Sequence, residues 1–191
     1  MWDLINMKNQ GKEIKCIIFG SIAKVKGYER AIAVIEKNPN ISLMIAGPLW
    51  NPLEKPTADW LKEKEKQLKN LKIEIRELDE NEFEKYAKES DIILLPYWEE
   101  VPASGIFAKL LRYLKPMIAW RNHEFIDYEQ NFGACVTAGS VDELEEKILK
   151  VYNSPKLRED LIKGARKLLK ERSWENIAKA TIELYEDVLK H

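Results

Sequence analysis

Cysteine is almost missing from this chain. Its 191 residues contain two, Cys16 and Cys135. Both fall in apolar runs that read as strands, so two reduced core thiols are expected rather than a disulfide framework. Histidine is as sparse: His123 and His191 lie far apart, and no D-x-D triplet occurs. No side chains show metal-ligand spacing, and His123 reads as an ordinary loop residue. Charge of one sign is also lacking. The formal net charge is −1, which leaves no broad basic field to draw in nucleic acid or anionic lipid. No apolar run approaches the length that spans a bilayer. Residues 1–6 lack the basic-then-apolar pattern of a signal peptide. The expectation is a cytoplasmic protein with no transmembrane segment. There is no internal repeat and no low-complexity tract.

What the chain has is the composition of a globular domain, with 45% hydrophobic and 33% charged residues. The length suits one domain with a full core. Lysine, glutamate and isoleucine are plentiful and glutamine is scarce, which leans toward a thermophilic source.

Strand and helix patterns alternate. Lys15 to Gly20 is an apolar run closed by glycine, as expected of a buried strand. Tyr28, Ala31, Ile32 and Ile35 then recur at helical spacing. Ile41 to Ala46 is a second strand, followed by a proline-marked loop and a charged helix from about Asp59 to Lys69. Lys72 to Arg76 alternates like a strand, and Glu80 to Lys88 reads as a short helix. Asp91 to Leu95 is the most apolar strand and stops at Pro96. Ile106, Phe107, Leu110, Leu111 and Leu114 mark a helix stripe. Pro116 to Trp120 and Gly133 to Val136 complete the strands. Beyond Ser140 the chain is helical, with Ser140 and Ser173 as expected N-caps. The fold class is therefore α/β: a single Rossmann-like domain, a parallel sheet of about six strands with helices on both faces, and a helical C-terminus.

Open parallel sheets bind ligands outside the carboxyl ends of their strands. The first strand runs into Gly20-Ser21-Ile22-Ala23-Lys24-Val25-Lys26-Gly27. This loop lacks Walker A spacing. Its two lysines read either as solvated charge or as contacts to a diphosphate. The fourth strand runs into a loop ending Ala103-Ser104-Gly105, just before a helix. Small residues at a helix N-terminus suit a phosphate, although Ser104 reads equally as a simple cap. Trp50, Trp98 and Trp120 each follow a strand, so all three should gather on one edge. They would either stack on a sugar or base or pack loops onto the sheet.

Five segments in order carry a resemblance. They are Phe19 to Gly27, Ser42 to Gly47, Ser90 to Tyr97, Ser104 to Ala108 with Leu114 to Ala119, and Leu157-Arg158 with Glu171 to Ala178. Together they resemble the C-terminal, donor-binding domain of the retaining family 4 glycosyltransferases of GT-B fold, over about Ile14 to Leu189. The resemblance implies transfer of a sugar from a nucleoside diphosphate sugar with retention, without a metal or other cofactor. It assigns Lys26 to the leaving diphosphate. Gly20, Ser21, Gly27, Ala103, Ser104, Gly105, Ile106 and Lys109 are assigned to the donor, with Glu99 and Glu100 placed by the sugar hydroxyls or ribose.

The chain departs from the pattern at three positions. Ser21 stands where an arginine is usual. Val101 and Lys109 stand where most members carry a pair of glutamates. Members also have an N-terminal acceptor-binding domain, which is not part of this sequence. The partners implied are a nucleotide sugar and either a separate acceptor-binding chain or a homo-oligomer, with no nucleic acid. A non-catalytic nucleotide-sugar-binding or scaffolding module is the alternative.

Overall fold

A computed structural model describes residues 12–98 and 105–189. Among them, six strands form one parallel sheet: β1 (Ile14–Phe19), β2 (Ile41–Gly47), β3 (Leu71–Ile75), β4 (Ile92–Leu95), β5 (Met117–Trp120) and β6 (Val136–Ala138). Their order across the sheet is β3-β2-β1-β4-β5-β6. The chain builds outward from β1 to β3, then returns to lay β4 on the other side of β1. The strand order thus reverses between β1 and β4, where Ile17 stands opposite Ile93.

Helices cover both faces because the strands are apolar on both. In β1, Ile14, Cys16 and Ile18 join one core, while Ile17 and Phe19 join the other. The first core is closed by α1 (Tyr28–Lys37), α2 (Lys55–Gln67) and α6 (Val141–Asn153). The second is closed by α3 (Glu80–Glu89), α4 (Gly105–Leu111) and α5 (His123–Asp127). α7 (Pro155–Glu171) serves both, placing Leu161 in the first core and Ala165 and Leu168 in the second. Burying an aliphatic side chain such as Ile45 or Ile93 contributes roughly 1.5–3 kcal/mol. α8 (Trp174–Leu189) buries none of its residues.

Both expected serine caps are formed. The Glu143 amide donates to Ser140 Oγ at 3.1 Å, and the Asn176 amide to Ser173 Oγ at 3.3 Å. Three elements are bounded differently from the sequence reading by more than a residue. α2 starts at Lys55, because Asn51 caps a 3-10 turn from Pro52 that runs straight into it, and Pro56 is harmless in a first turn. The stripe after Gly105 does not include Leu114: α4 stops at Leu111, and Leu114 takes a left-handed φ of 51°. β6 lies at Val136–Ala138, because Gly133, at φ 64°, ends a π-helical turn (Tyr128–Phe132). α5 and that turn were not anticipated. Their signals were present, with Asn122 capping the Phe125 amide at 2.8 Å and Phe125 and Tyr128 buried on one side.

Cys16 and Cys135 are both buried and unpaired with each other, and burial pushes both thiols up. No described helix is long and apolar enough to cross a membrane.

Candidate functional site

The strand order reverses between β1 and β4, and the helices that follow them lie on opposite faces; open parallel sheets hold ligands outside the carboxyl ends of strands at such a point. The chain leaving β1 is fastened to its β2 neighbour. The Gly20 amide donates to Ala46 O at 3.1 Å, and the Ile22 amide donates to Pro48 O at 2.7 Å. The Trp50 amide then returns a bond to Ile22 O at 3.1 Å. Lys24–Lys26 form a single 3-10 turn, and Gly27 ends it and begins α1 at φ 64°. A side chain at 27 is excluded twice over. The left-handed backbone disfavours it, and a Cβ there would stand 2.0 Å from Pro96 O. The start of α1 is therefore pressed directly onto the end of β4.

That contact sets the position of Lys26. Its ammonium lies 3.9 Å from the centroid of the Tyr97 ring. A Cβ placed on Gly20 would be 3.6 Å from Lys26 Nζ and 3.9 Å from Ile106 Cγ1, so Gly20, Lys26 and Ile106 meet at one point. Among the described residues no carboxylate forms an ion pair with Lys26. Burial alone lowers its pKa from 10.5 to about 8. A half-buried cation with an aromatic face beneath it and no acid beside it is suited to receive an anion.

The neighbouring groups are engaged elsewhere. The Tyr28 hydroxyl donates to Ser21 O at 3.3 Å, and Glu54 accepts the Lys24 amide at 2.9 Å. On the β4 side, the Trp98 amide donates to Val25 O at 3.0 Å, tying the two loops together. Arg30 Nη1 donates to Pro96 O at 3.0 Å and Tyr97 O at 2.7 Å. Its guanidinium carbon is 4.3 Å from the Trp98 ring centroid and 3.8 Å from that of Trp120.

Of the site residues expected from the sequence, Gly20, Ser21, Lys26, Gly27 and Ile106 come together here. Gly105 opens α4, and among the described residues nothing lies within 4 Å of where a Cβ on it would stand. Lys109 is directed elsewhere: its ammonium pairs with Glu80 at 3.1 Å and lies 4.0 Å above the Phe83 ring, on the α3 side. Glu99, Glu100, Val101, Ala103 and Ser104 lie outside the described residues. The three tryptophans all stand at carboxyl ends of strands, after β2 and β4 and at the end of β5. They are not equivalent, since Trp50 is 67% exposed, Trp98 42% and Trp120 8%. Sequence reasoning did not single out Arg30 or Tyr97, which the structure places beside Lys26 and the end of β4. Arg30 looks like any solvated helix charge until α1 meets β4. Tyr97 sat inside a segment that carried the resemblance.

No group of three or more His, Cys, Asp and Glu among the described residues is placed to hold a metal ion.

Comparison with known proteins agrees with this fold. The family model described as glycosyl transferases group 1 matches residues 5–168. No curated protein matches the chain. Among solved structures, sucrose-phosphate synthase from Thermosynechococcus elongatus is 16% identical, with a TM-score of 0.74 over 94% of this chain and 46% of that one. The HepE protein of Anabaena, solved in complex with UDP, is 12% identical, with a TM-score of 0.75 over 94% of this chain and 50% of its own. It has also been solved with UDP-glucose. The C-terminal domain of a group 1 glycosyl transferase from Francisella tularensis is 18% identical, with a TM-score of 0.62 over 84% of this chain and 86% of that one. The chain thus spans about half the length of the first two. It belongs to the glycosyl transferases group 1, and its fold is that of the C-terminal half of a GT-B glycosyltransferase.

Proposed function

We propose, from that family membership, that the chain binds a nucleoside diphosphate sugar at the β1–β4 switch point and serves as the donor half of a retaining glycosyltransferase of the family 4 type. The acceptor would be bound by a second domain or a second chain. The observation that carries this reading is Lys26, an ammonium held against Tyr97 and Gly20 with no carboxylate partner among the described residues. An ion pair would satisfy such a charge permanently, whereas here an incoming diphosphate supplies the counter-charge.

Its chemical task follows from its charge. Sugar transfer leaves negative charge on the departing diphosphate, and a preplaced cation stabilises that charge without reorganising when it develops. The half-buried setting strengthens the interaction relative to water. UDP is the first nucleotide to test, since a structural neighbour of this chain was solved with it.

The test is a titration with UDP, GDP, ADP and their glucose conjugates, followed by tryptophan fluorescence. Trp98 sits beside Tyr97 and reports on the site. Selective binding of one nucleotide, weakened by Lys26→Ala, is the expected result. Binding that Lys26→Ala leaves unchanged would refute the assignment of the diphosphate to this lysine.

A further inference from the structure

The position of Arg30 runs against local preference. It is the third residue of α1, where the helix dipole favours acids and disfavours cations. A cation there needs a tertiary reason, and four contacts supply one. Nη1 bonds the two successive carbonyls of Pro96 and Tyr97, just past the last residue of β4. The planar face is held between Trp98 and Trp120, from the ends of two adjacent strands. The residue whose carbonyl receives the shorter of those bonds is also the one whose ring lies against Lys26.

Building on the reading of Lys26 as the diphosphate cation, we propose that Arg30 is a positioning residue for it: clamped between two indoles and bonded to the Pro96 and Tyr97 carbonyls, it holds the Tyr97 ring against the Lys26 ammonium. Among the described residues, Arg30 reaches the Lys26 side of the site through the β4 backbone. Planarity is essential to the role, because a lysine ammonium has no flat face to stack between two rings and cannot reproduce the guanidinium geometry. Among the described residues, Gly20 from the end of β1 and Ile106 from α4 also meet at Lys26. Tyr28 of α1 is turned to Ser21, and Glu54 to the Lys24 amide. Tyr97 is therefore the cover that Arg30 controls.

The experiment measures the protonation of Lys26 directly, without nucleotide. The whole chain is reacted with an amine-acylating reagent across a pH series, and modification at Lys26 is read by peptide mass spectrometry. The wild-type midpoint is expected near 8. Arg30→Ala and Arg30→Lys should both lift it toward the ordinary 10.5, because a displaced Tyr97 lets water reach the ammonium. Trp98→Ala, which removes the more exposed half of the clamp, should lift it by less and serves if Arg30→Ala does not fold. UDP affinity should fall about tenfold in both Arg30 variants as the cation loses its preset position.

An unchanged midpoint in folded Arg30→Ala and Arg30→Lys would mean that Tyr97 covers Lys26 unaided. A midpoint lifted in Arg30→Ala but not in Arg30→Lys would mean that Arg30 acts by charge alone. Either overturns the proposal. The acylation titration needs no ligand, so a wild-type protein that binds none of UDP, GDP, ADP and their glucose conjugates would defeat the nucleotide reading and leave the role of Arg30 to be decided on its own.

Discussion

Two cations at the carboxyl side of the same sheet are treated in opposite ways. Just past β3, Arg76 is surrounded by acids. Its Nη1 and Nη2 each bond Glu82 at 2.7 Å, and Nη2 also bonds Glu74 at 2.8 Å. Glu82 closes the capping box of α3 with Asp79 as well. The guanidinium holds the Glu82 carboxyl down to about 2, and the carboxylate pushes the arginine up. At the switch point, Lys26 has an aromatic ring and backbone around it, and its pKa falls to about 8 instead. A cation already neutralised by carboxylates fastens a corner of the fold. A cation kept without them and partly dried has charge available for a ligand, at the expense of the fold around it.

The sharpest way to break this contrast is to disturb the packing that creates it. Gly27→Ala forces a Cβ into the space of Pro96 O at a left-handed φ. It should cost about 3 kcal/mol or more, read as a fall in the denaturant midpoint, and should abolish nucleotide binding in whatever still folds. A Gly27→Ala protein as stable as wild type would show that α1 does not rest on β4 as described.

Next in size is the charge itself. Lys26→Met should weaken UDP between about tenfold and a hundredfold, the range for a lost hydrogen bond to a charged group. Its melting temperature should not fall, since the side chain removed was an unfavourably buried ion. In the wild type, UDP affinity should decline as pH rises through about 8 and Lys26 loses its proton. Stability should move the other way. Between about 8 and the ordinary value of 10.5 the unfolded chain holds more protons than the folded one, so stability rises with pH across that window. Calorimetric titrations of UDP at several pH values, paired with melts at the same values, check both signs.

The smallest effect is expected at the paired corner. Glu82→Gln should lower the melting temperature by at most about 2 °C, as for most exposed ion pairs, and leave UDP affinity unchanged. The contribution of Glu82 is present above its ordinary carboxyl value of 4.5 and is lost as pH falls toward 2. If Glu82→Gln weakened UDP as strongly as Lys26→Met, the distinction between a fastening cation and a receiving one would fail.

The layout of the fold was readable because its strands are near-continuous apolar runs. Ile41 to Ala46 and Asp91 to Leu95 can be placed within a residue or two, as buried parallel strands allow. α5 was missed because its stripe is only Phe125 and Tyr128 and its end is a π-helical turn, a period that no helical template contains. Among the described residues, the site was legible in its first loop and in Ile106 of α4. Lys26 and Gly27 stood out as a lysine and a glycine at a strand end. Lys109 was assigned to the donor by its place in the sequence, yet its rotamer and the position of Glu80 turn it to α3. Rotamer and neighbour are tertiary facts.

The sequence by itself determined the alternation of strand and helix, the two-sided core, and the glycine without which α1 could not approach β4. These follow from side-chain volume, polarity and backbone freedom, which each residue carries wherever it is placed. Only the tertiary structure decided which cations are paired. Arg76 met Glu82 across a strand end, and Lys26 met a tyrosine that Arg30 reaches from another helix turn. A charge in a sequence has a sign but no environment. The dielectric, the partners and hence the chemistry of that charge are set by residues brought to it from far along the chain.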